Sequence, residues 1–143
     1  MSASEVRLEQ IRRKVVTANQ MRAIEQRLFD AGMPVAALME KVAGRISDRI
    51  THLFPPCKVG ILAGSGHNGG DALVVARELY FRGYEVRVCC PLSRPKELTA
   101  SHLEYAKRLG IPCETEIESL RSSDVLIDGL FGFGLTRSLE DPI

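Results

Sequence analysis

The sequence predicts an α/β fold with a mostly parallel β-sheet, on three observations. A helical first third gives way, near residue 58, to short apolar segments that alternate with helix-like segments. Residues 59–63 and 125–127 are apolar throughout, as in strands buried on both faces. Glycine-rich segments follow both runs. Because parallel strands need crossover helices, we expect a Rossmann-like three-layer α/β/α sandwich with strand one beside strand four, preceded by two N-terminal helices.

The first predicted helix begins after Thr17. Thr17 and Gln20 have the spacing of a capping box, in which each side chain accepts a hydrogen bond from the backbone N–H of the other residue. We expect this helix to run to about Ala31, because Gly32 then favours a turn.

The second predicted helix lies between two proline positions. Pro34 suits the first turn of a helix, and the pair Pro55-Pro56 ends it. Apolar residues recur between these positions at steps of three and four, which predicts that one face is buried, formed by Met39, Val42, Ile46, Ile50 and Leu53.

Four strands and two further helices are predicted in the remainder. The expected strands cover residues 59–63, 86–90, 112–115 and 125–127, and the last ends at Asp128. The expected helices cover residues 69–82 and 97–109, and Gly83 ends the first of them.

Composition excludes several classes of protein. The chain has 143 residues, 45% hydrophobic and 26% charged, which is typical of one soluble globular domain. A net charge of +1 gives no case for a nucleic-acid partner. The apolar runs fall short of the roughly 18 residues that cross a membrane. The first 14 residues lack the apolar core of a secretory signal, and we expect a cytoplasmic protein whose four cysteines are reduced.

Ligands of open α/β sheets bind outside the carboxyl ends of the strands, where successive connections diverge to opposite faces. Two glycine-rich segments, residues 64–71 and 132–136, are predicted to meet there. The first matches G-x-G-x-x-G, which places a phosphate at a helix N-terminus. Strand two ends in Cys89-Cys90 without the usual acidic residue, which disfavours an ordinary NAD dehydrogenase. Arg94 and Lys96 follow, either as contacts to a 2′-phosphate or as solvated surface cations.

Four side chains near these segments could take part in chemistry. Asp71 is expected in the first helical turn, where it would cap the helix and disfavour a pyrophosphate. Asp128, flanked by apolar residues, should be partly buried and need a partner. Two kinds of partner satisfy that need equally well: a cation that Asp128 shares with Asn68, or hydrogen bonds from loop amides without a metal. His67 is expected to line the site rather than to act as an acid or base. His52 and His102 are assigned no role.

In combination, these segments resemble the YjeF N-terminal domain family, whose enzyme members are NAD(P)H-hydrate epimerases. The resemblance covers nearly everything from Val16 to Ile143. It rests on Thr17-Ala18-Asn19-Gln20-Met21-Arg22, Leu38-Met39-Glu40 with Ala43-Gly44, Gly64-Ser65-Gly66-His67-Asn68-Gly69-Gly70-Asp71 with Leu73-Val74-Val75-Ala76-Arg77, and Asp128-Gly129-Leu130-Phe131-Gly132-Phe133-Gly134-Leu135.

The resemblance implies epimerisation of the R and S forms of hydrated NADH and NADPH (NADHX and NADPHX) in cofactor repair, upstream of an S-specific dehydratase. It implies a potassium ion bound by Asn68 and Asp128. It also implies a substrate site formed by His67, Asn68, Gly69, Gly70, Asp71, Gly132, Phe133, Gly134, Leu135, Thr136, Arg137 and Ser138.

The family pattern continues past Ile143, and the catalytic residue is expected there. Residues 1–143 are accordingly expected to form a single domain that is incomplete at its C-terminus. Its exposed sheet edge would favour a homodimer. The alternative to an enzyme is a non-catalytic nucleotide-binding or dimerisation module, because the fold that the resemblance implies also serves as such a scaffold in an RNA-decapping enhancer family.

Overall fold

The structure, a computed structural model, describes residues 2–139. The chain divides into two units, Met1–Met33 and Pro34–Ile143. The first unit contains α1 (Ala3–Arg12) and α2 (Ala18–Asp30). The second contains α3 (Val35–Leu53), β1 (Lys58–Ala63), α4 (His67–Phe81), β2 (Glu85–Cys89), α5 (Glu97–Arg108), β3 (Cys113–Glu114), a 3-10 helix (Ile117–Leu120) and β4 (Val125–Gly129). The single domain predicted from the sequence spans residues 1–143, and both of these end residues lie outside the described part of the chain.

Both helices of the first unit begin with a capping box. Thr17 and Gln20 exchange the two predicted hydrogen bonds, at 3.2 and 2.8 Å, so the predicted start of α2 is confirmed. Ser2 and Glu5 make the same exchange at the start of α1. Sequence analysis did not predict α1, although the Ser-x-x-Glu spacing is the same signal.

The four strands form one parallel sheet in the order β3-β2-β1-β4. The predicted α/β class and the neighbouring positions of strands one and four are therefore confirmed. In register, Leu62 of β1 lies beside Cys89 on one side and Asp128 on the other. The helix α4 follows β1 on one face, whereas the connection into β4 runs over the opposite face, so the switch point of the topology lies between β1 and β4.

Helix α4 lies between α3 and α5 and packs on the sheet. Small side chains bring α3 close to it: Ala43 and Ser47 are fully buried beside Met39. The predicted apolar face of α3 was therefore partly wrong, because Val42, Ile46 and Leu53 are exposed. The face that is buried contains the small residues instead. Arg77 of α4 joins the two helices through a bidentate ion pair with Glu40, which lowers the pKa of that carboxyl.

Within residues 34–139, the opposite face of the sheet carries only the 3-10 helix. Leu126 on the edge strand β4 is 65% exposed there. Together with Leu62 and Ile117 it lines an apolar cleft of about 380 Å³. In the described part of the chain, no helix is long and apolar enough to cross a membrane.

Candidate functional site

The glycine-rich turn after β1 is shorter than predicted. Helix α4 begins at His67, two residues earlier than expected, and Gly66 is its N-cap residue. Residues 67–71 therefore form the first turn of α4 rather than a loop. Asp71 lies beyond the capping position, so the expectation that it caps the helix was wrong.

Close backbone packing at this turn requires glycine. A Cβ atom on Gly69 would lie less than 3.0 Å from the backbone of Gly64, closer than Cβ atoms approach backbone in folded proteins. A Cβ on Gly64 would meet the backbone of Leu130 in the same way. The turn, the first turn of α4 and the segment after β4 therefore contact one another through their backbones. This confirms that the two glycine-rich segments meet.

Asn68 and Asp128 both reach the segment after β4. The side-chain amide of Asn68 donates to the Phe131 carbonyl at 3.1 Å, and Gly132 packs against its Cβ. One carboxylate oxygen of Asp128 accepts from the Leu130 N–H at 3.0 Å. Each of these two side chains therefore bonds to the segment after β4 and keeps an oxygen atom of the kind that hard cations prefer.

Asp128 is exposed, and the expectation that it is partly buried was wrong. It lies on the face of the sheet opposite α4, at the rim of the apolar cleft. Within residues 34–139 only the 3-10 helix covers that face, so flanking apolar residues do not bury the carboxylate. The sequence left open whether a cation or loop amides partner this carboxylate, and the Leu130 N–H is one such loop amide.

The second glycine-rich segment lies on the surface. Residues 132–138 are all exposed, which leaves Gly132, Phe133, Gly134, Leu135, Thr136, Arg137 and Ser138 accessible to a ligand. A turn at residues 133–134 is closed by the Leu135 N–H, which donates to the Gly132 carbonyl at 3.3 Å. The first residue of the segment, Gly132, packs against the Cβ of Asn68.

The sequence-based prediction treated Lys96 as a contact to a 2′-phosphate or as a surface cation, and missed that the segment between β2 and α5 is bonded to the glycine turn. The Lys96 N–H donates to the Ser65 carbonyl at 2.8 Å, and the Thr99 hydroxyl donates to the Gly66 carbonyl at 2.9 Å. These bonds hold the β2–α5 segment against the glycine turn. Lys96 and His67 line a recess of about 440 Å³. The signal available in the sequence was Thr99, a polar residue on the inner face of an amphipathic helix.

A family model described as YjeF-related protein N-terminus matches residues 35–143. This match covers more than half of the chain, including both glycine-rich segments. The chain belongs to this family. The resemblance of the YjeF N-terminal domains to this sequence is thereby confirmed, and the glycine turn, Asn68 and Asp128 all fall inside the matched region.

Relatives of this YjeF N-terminal domain are nicotinamide-cofactor repair proteins by name. The chain is 52% identical over 128 residues to the bifunctional NAD(P)H-hydrate repair enzyme Nnr of Thermosynechococcus vestitus, covering 87% of this chain and 25% of that protein. It is 32% identical over 133 residues to an NAD(P)H-hydrate epimerase of Limosilactobacillus reuteri, covering 89% and 62%. The chain thus spans from a quarter to three-fifths of these curated relatives.

A solved structure has the same fold. The crystal structure of yeast YNL200c superposes with a TM-score of 0.82 at 25% identity, covering 90% of this chain and 61% of the yeast chain. The α/β architecture of this YjeF N-terminal domain is therefore shared with an experimentally determined structure.

The four cysteines of the domain are free thiols, as predicted. Burial raises the pKa of the Cys90 thiol to about 11 and also raises the pKa of Cys113. A raised thiol pKa leaves less of the reactive thiolate at any given pH. Both side chains are therefore neutral at pH 7.

Alkylation of Cys90 by iodoacetamide at pH 8 is expected to be roughly a hundredfold slower in the folded chain than in urea, because the thiolate fraction is that much smaller. Peptide mass spectrometry after timed quenching measures both rates. The urea-unfolded chain is the control, and equal rates in the two states would contradict the burial of this thiol.

Proposed function

We propose that this chain interconverts the R and S forms of NADHX and NADPHX, as the epimerase part of nicotinamide-cofactor repair. The observation that carries the proposal is the backbone contact between the glycine turn and the segment after β4, at the switch point between β1 and β4. Ligands of open α/β sheets bind at this position. The names of the relatives supply the substrate class.

The described residues have binding and orienting roles in this proposal. The helix N-terminus at His67 and Asn68 presents backbone N–H groups toward the diphosphate of the substrate. The exposed segment from Gly132 to Ser138 lies beside it and would close over the hydrated ring. Gly69 and Gly70 keep α4 close to its neighbours, and Asp71 stands one turn into the helix.

Inversion occurs at the hydroxyl-bearing carbon beside the ring nitrogen. The C–O bond breaks with loss of water and re-forms when water adds to the opposite face, or the ring opens and closes, and in both cases the composition is unchanged. Either route needs one group to protonate the departing oxygen and one to accept the proton on return. No side chain within residues 2–139 is assigned this proton transfer.

Asn68 and Asp128 would hold a potassium ion. Their oxygen atoms and their shared contact with residues 130–132 support this part of the proposal. The bound ion would supply positive charge beside the substrate phosphates rather than activate a water. Asn68 would then orient both the ion and the segment after β4 through its bond to Phe131.

The proposal includes two partners and a location. A dehydratase specific for the S form would consume the product, in keeping with the bifunctional relatives. A homodimer would form through the edge strand β4, where Leu126 is exposed. The free thiols suit the reducing cytoplasm.

The activity is tested by incubating purified R-NADPHX with the chain and separating the R and S forms by chromatography over time. We expect equilibration to be faster than in buffer alone, at a pH where the spontaneous reaction is slow. A nucleotide-binding scaffold would leave the rate unchanged, and that result would contradict the proposed activity.

A further inference from the structure

A third cavity lies on the far side of the glycine turn from β4. It has a volume of about 200 Å³ and begins at Gly64, the residue that packs against Leu130. Its walls include Leu73, Leu92 and Leu103, the side chain of Lys107, and the thiols of two cysteines, one just after β2 and one at the start of β3. Cavities that enclose whole drug-sized ligands measure roughly 300–1,000 Å³. This cavity therefore suits one flat ring system and not a whole dinucleotide.

The cavity is mostly apolar, with Lys107 as the one cationic side chain among the described residues that line it. Its thiols, Cys90 and Cys113, are neutral for the reason given above. Glu114 on its rim is paired with Arg87 at 2.7 Å. Thr115 remains as a neutral hydroxyl for hydrogen bonding to the edge of a ring. A hydrated nicotinamide ring, which exchanges water during its inversion, does not suit such walls.

The direction of a bound dinucleotide follows from the strand order. β1 lies between β2 and β4. When the diphosphate of a dinucleotide lies at the start of α4, just after β1, one of its two nucleosides therefore points toward β2 and the other toward β4. The β4 side offers Asn68, Asp128 and an exposed segment, whereas the β2 side offers the apolar cavity. Lys96 and Thr99 hold the β2–α5 wall of this cavity to the turn.

Resting on the proposed function, we infer that the cavity between α5 and the ends of β2 and β3 binds the adenine ring of the substrate. The hydrated nicotinamide ring then lies on the β4 side. The apolar faces of adenine contact the leucines, and its polar edge reaches Thr115. Leu92, to which sequence analysis assigned no role, is then a residue that contacts the adenine ring.

A nuclear magnetic resonance titration of the ¹⁵N-labelled chain with ADP-ribose tests this placement. We expect the largest amide shift changes at Cys90, Leu92 and Thr115. With nicotinamide mononucleotide we expect changes at residues 132–138 instead. Changes by ADP-ribose confined to residues 132–138, or the absence of any change, would overturn the inference.

A matched pair of variants at Leu92 adds a quantitative test. Leu92→Gln places an amide in the apolar wall and should weaken ADP-ribose binding about tenfold, whereas Leu92→Met should leave it nearly unchanged. Equal affinities of both variants and the parent would overturn the inference. The titration measures binding alone, so ADP-ribose binding here without R and S interconversion supports this inference and contradicts only the proposed activity.

Discussion

Replacing Gly69 by alanine is expected to destabilise the chain by about 3 kcal/mol or more, a large fraction of the roughly 5–15 kcal/mol that stabilises a typical domain. The added Cβ would lie less than 3.0 Å from the backbone of Gly64. Gly64 is itself packed against Leu130, so the turn cannot retreat without moving the segment after β4. Chemical denaturation of parent and variant, followed by circular dichroism, measures the loss.

Gly66→Ala is the matched control for this substitution. It lies in the same turn, its φ is −86°, and a Cβ there would meet no atom within 4 Å. We expect a loss well below that of Gly69→Ala, since only the N-cap preference changes. Equal stabilities of the two variants would show that the backbone contact between Gly64 and Gly69 is absent in solution.

Potassium is expected to raise the thermal midpoint of the parent chain by a few degrees relative to tetramethylammonium at equal ionic strength. A ligand at ten times its Kd stabilises the folded state by about 1.4 kcal/mol. Asp128→Asn should lose this rise, because the amide keeps an acceptor for the Leu130 N–H but removes the charge. Differential scanning fluorimetry in the two salts measures the effect.

Glu85→Gln is the control for the potassium experiment. Glu85 is an exposed carboxylate at the start of β2, the opposite end of the sheet from Asp128. Its substitution removes the same charge and should preserve the potassium-dependent rise. A rise retained in Asp128→Asn, or lost in both variants, would contradict potassium binding at this carboxylate.

The fold was predictable because its signals are local. Capping residues, the apolar runs of β1 and β4 and the glycines that end helices all act within a few residues of chain. The buried face of α3 was predicted less well. Its orientation depends on how closely Ala43 and Ser47 let α4 approach, which is a tertiary property that periodicity of large apolar residues does not contain.

The site was predicted where it depends on strand ends and was missed where it depends on packing. Gly64 and Gly132 were placed together because parallel strands end at one edge. The exposure of Asp128 was not foreseen, since it depends on what covers the second face of the sheet. The bonds from Lys96 and Thr99 to the turn join residues more than 30 positions apart, and no local pattern encodes them.

The rate of R to S interconversion of NADPHX, measured with the parent chain, Asp128→Asn and Glu85→Gln, tests the central claim most directly. The account predicts that the parent and Glu85→Gln accelerate equilibration over buffer, and that Asp128→Asn accelerates it far less. Equal acceleration by all three proteins would contradict the role of Asp128 in the site. Acceleration by none of them would contradict the assignment of epimerase activity to this chain.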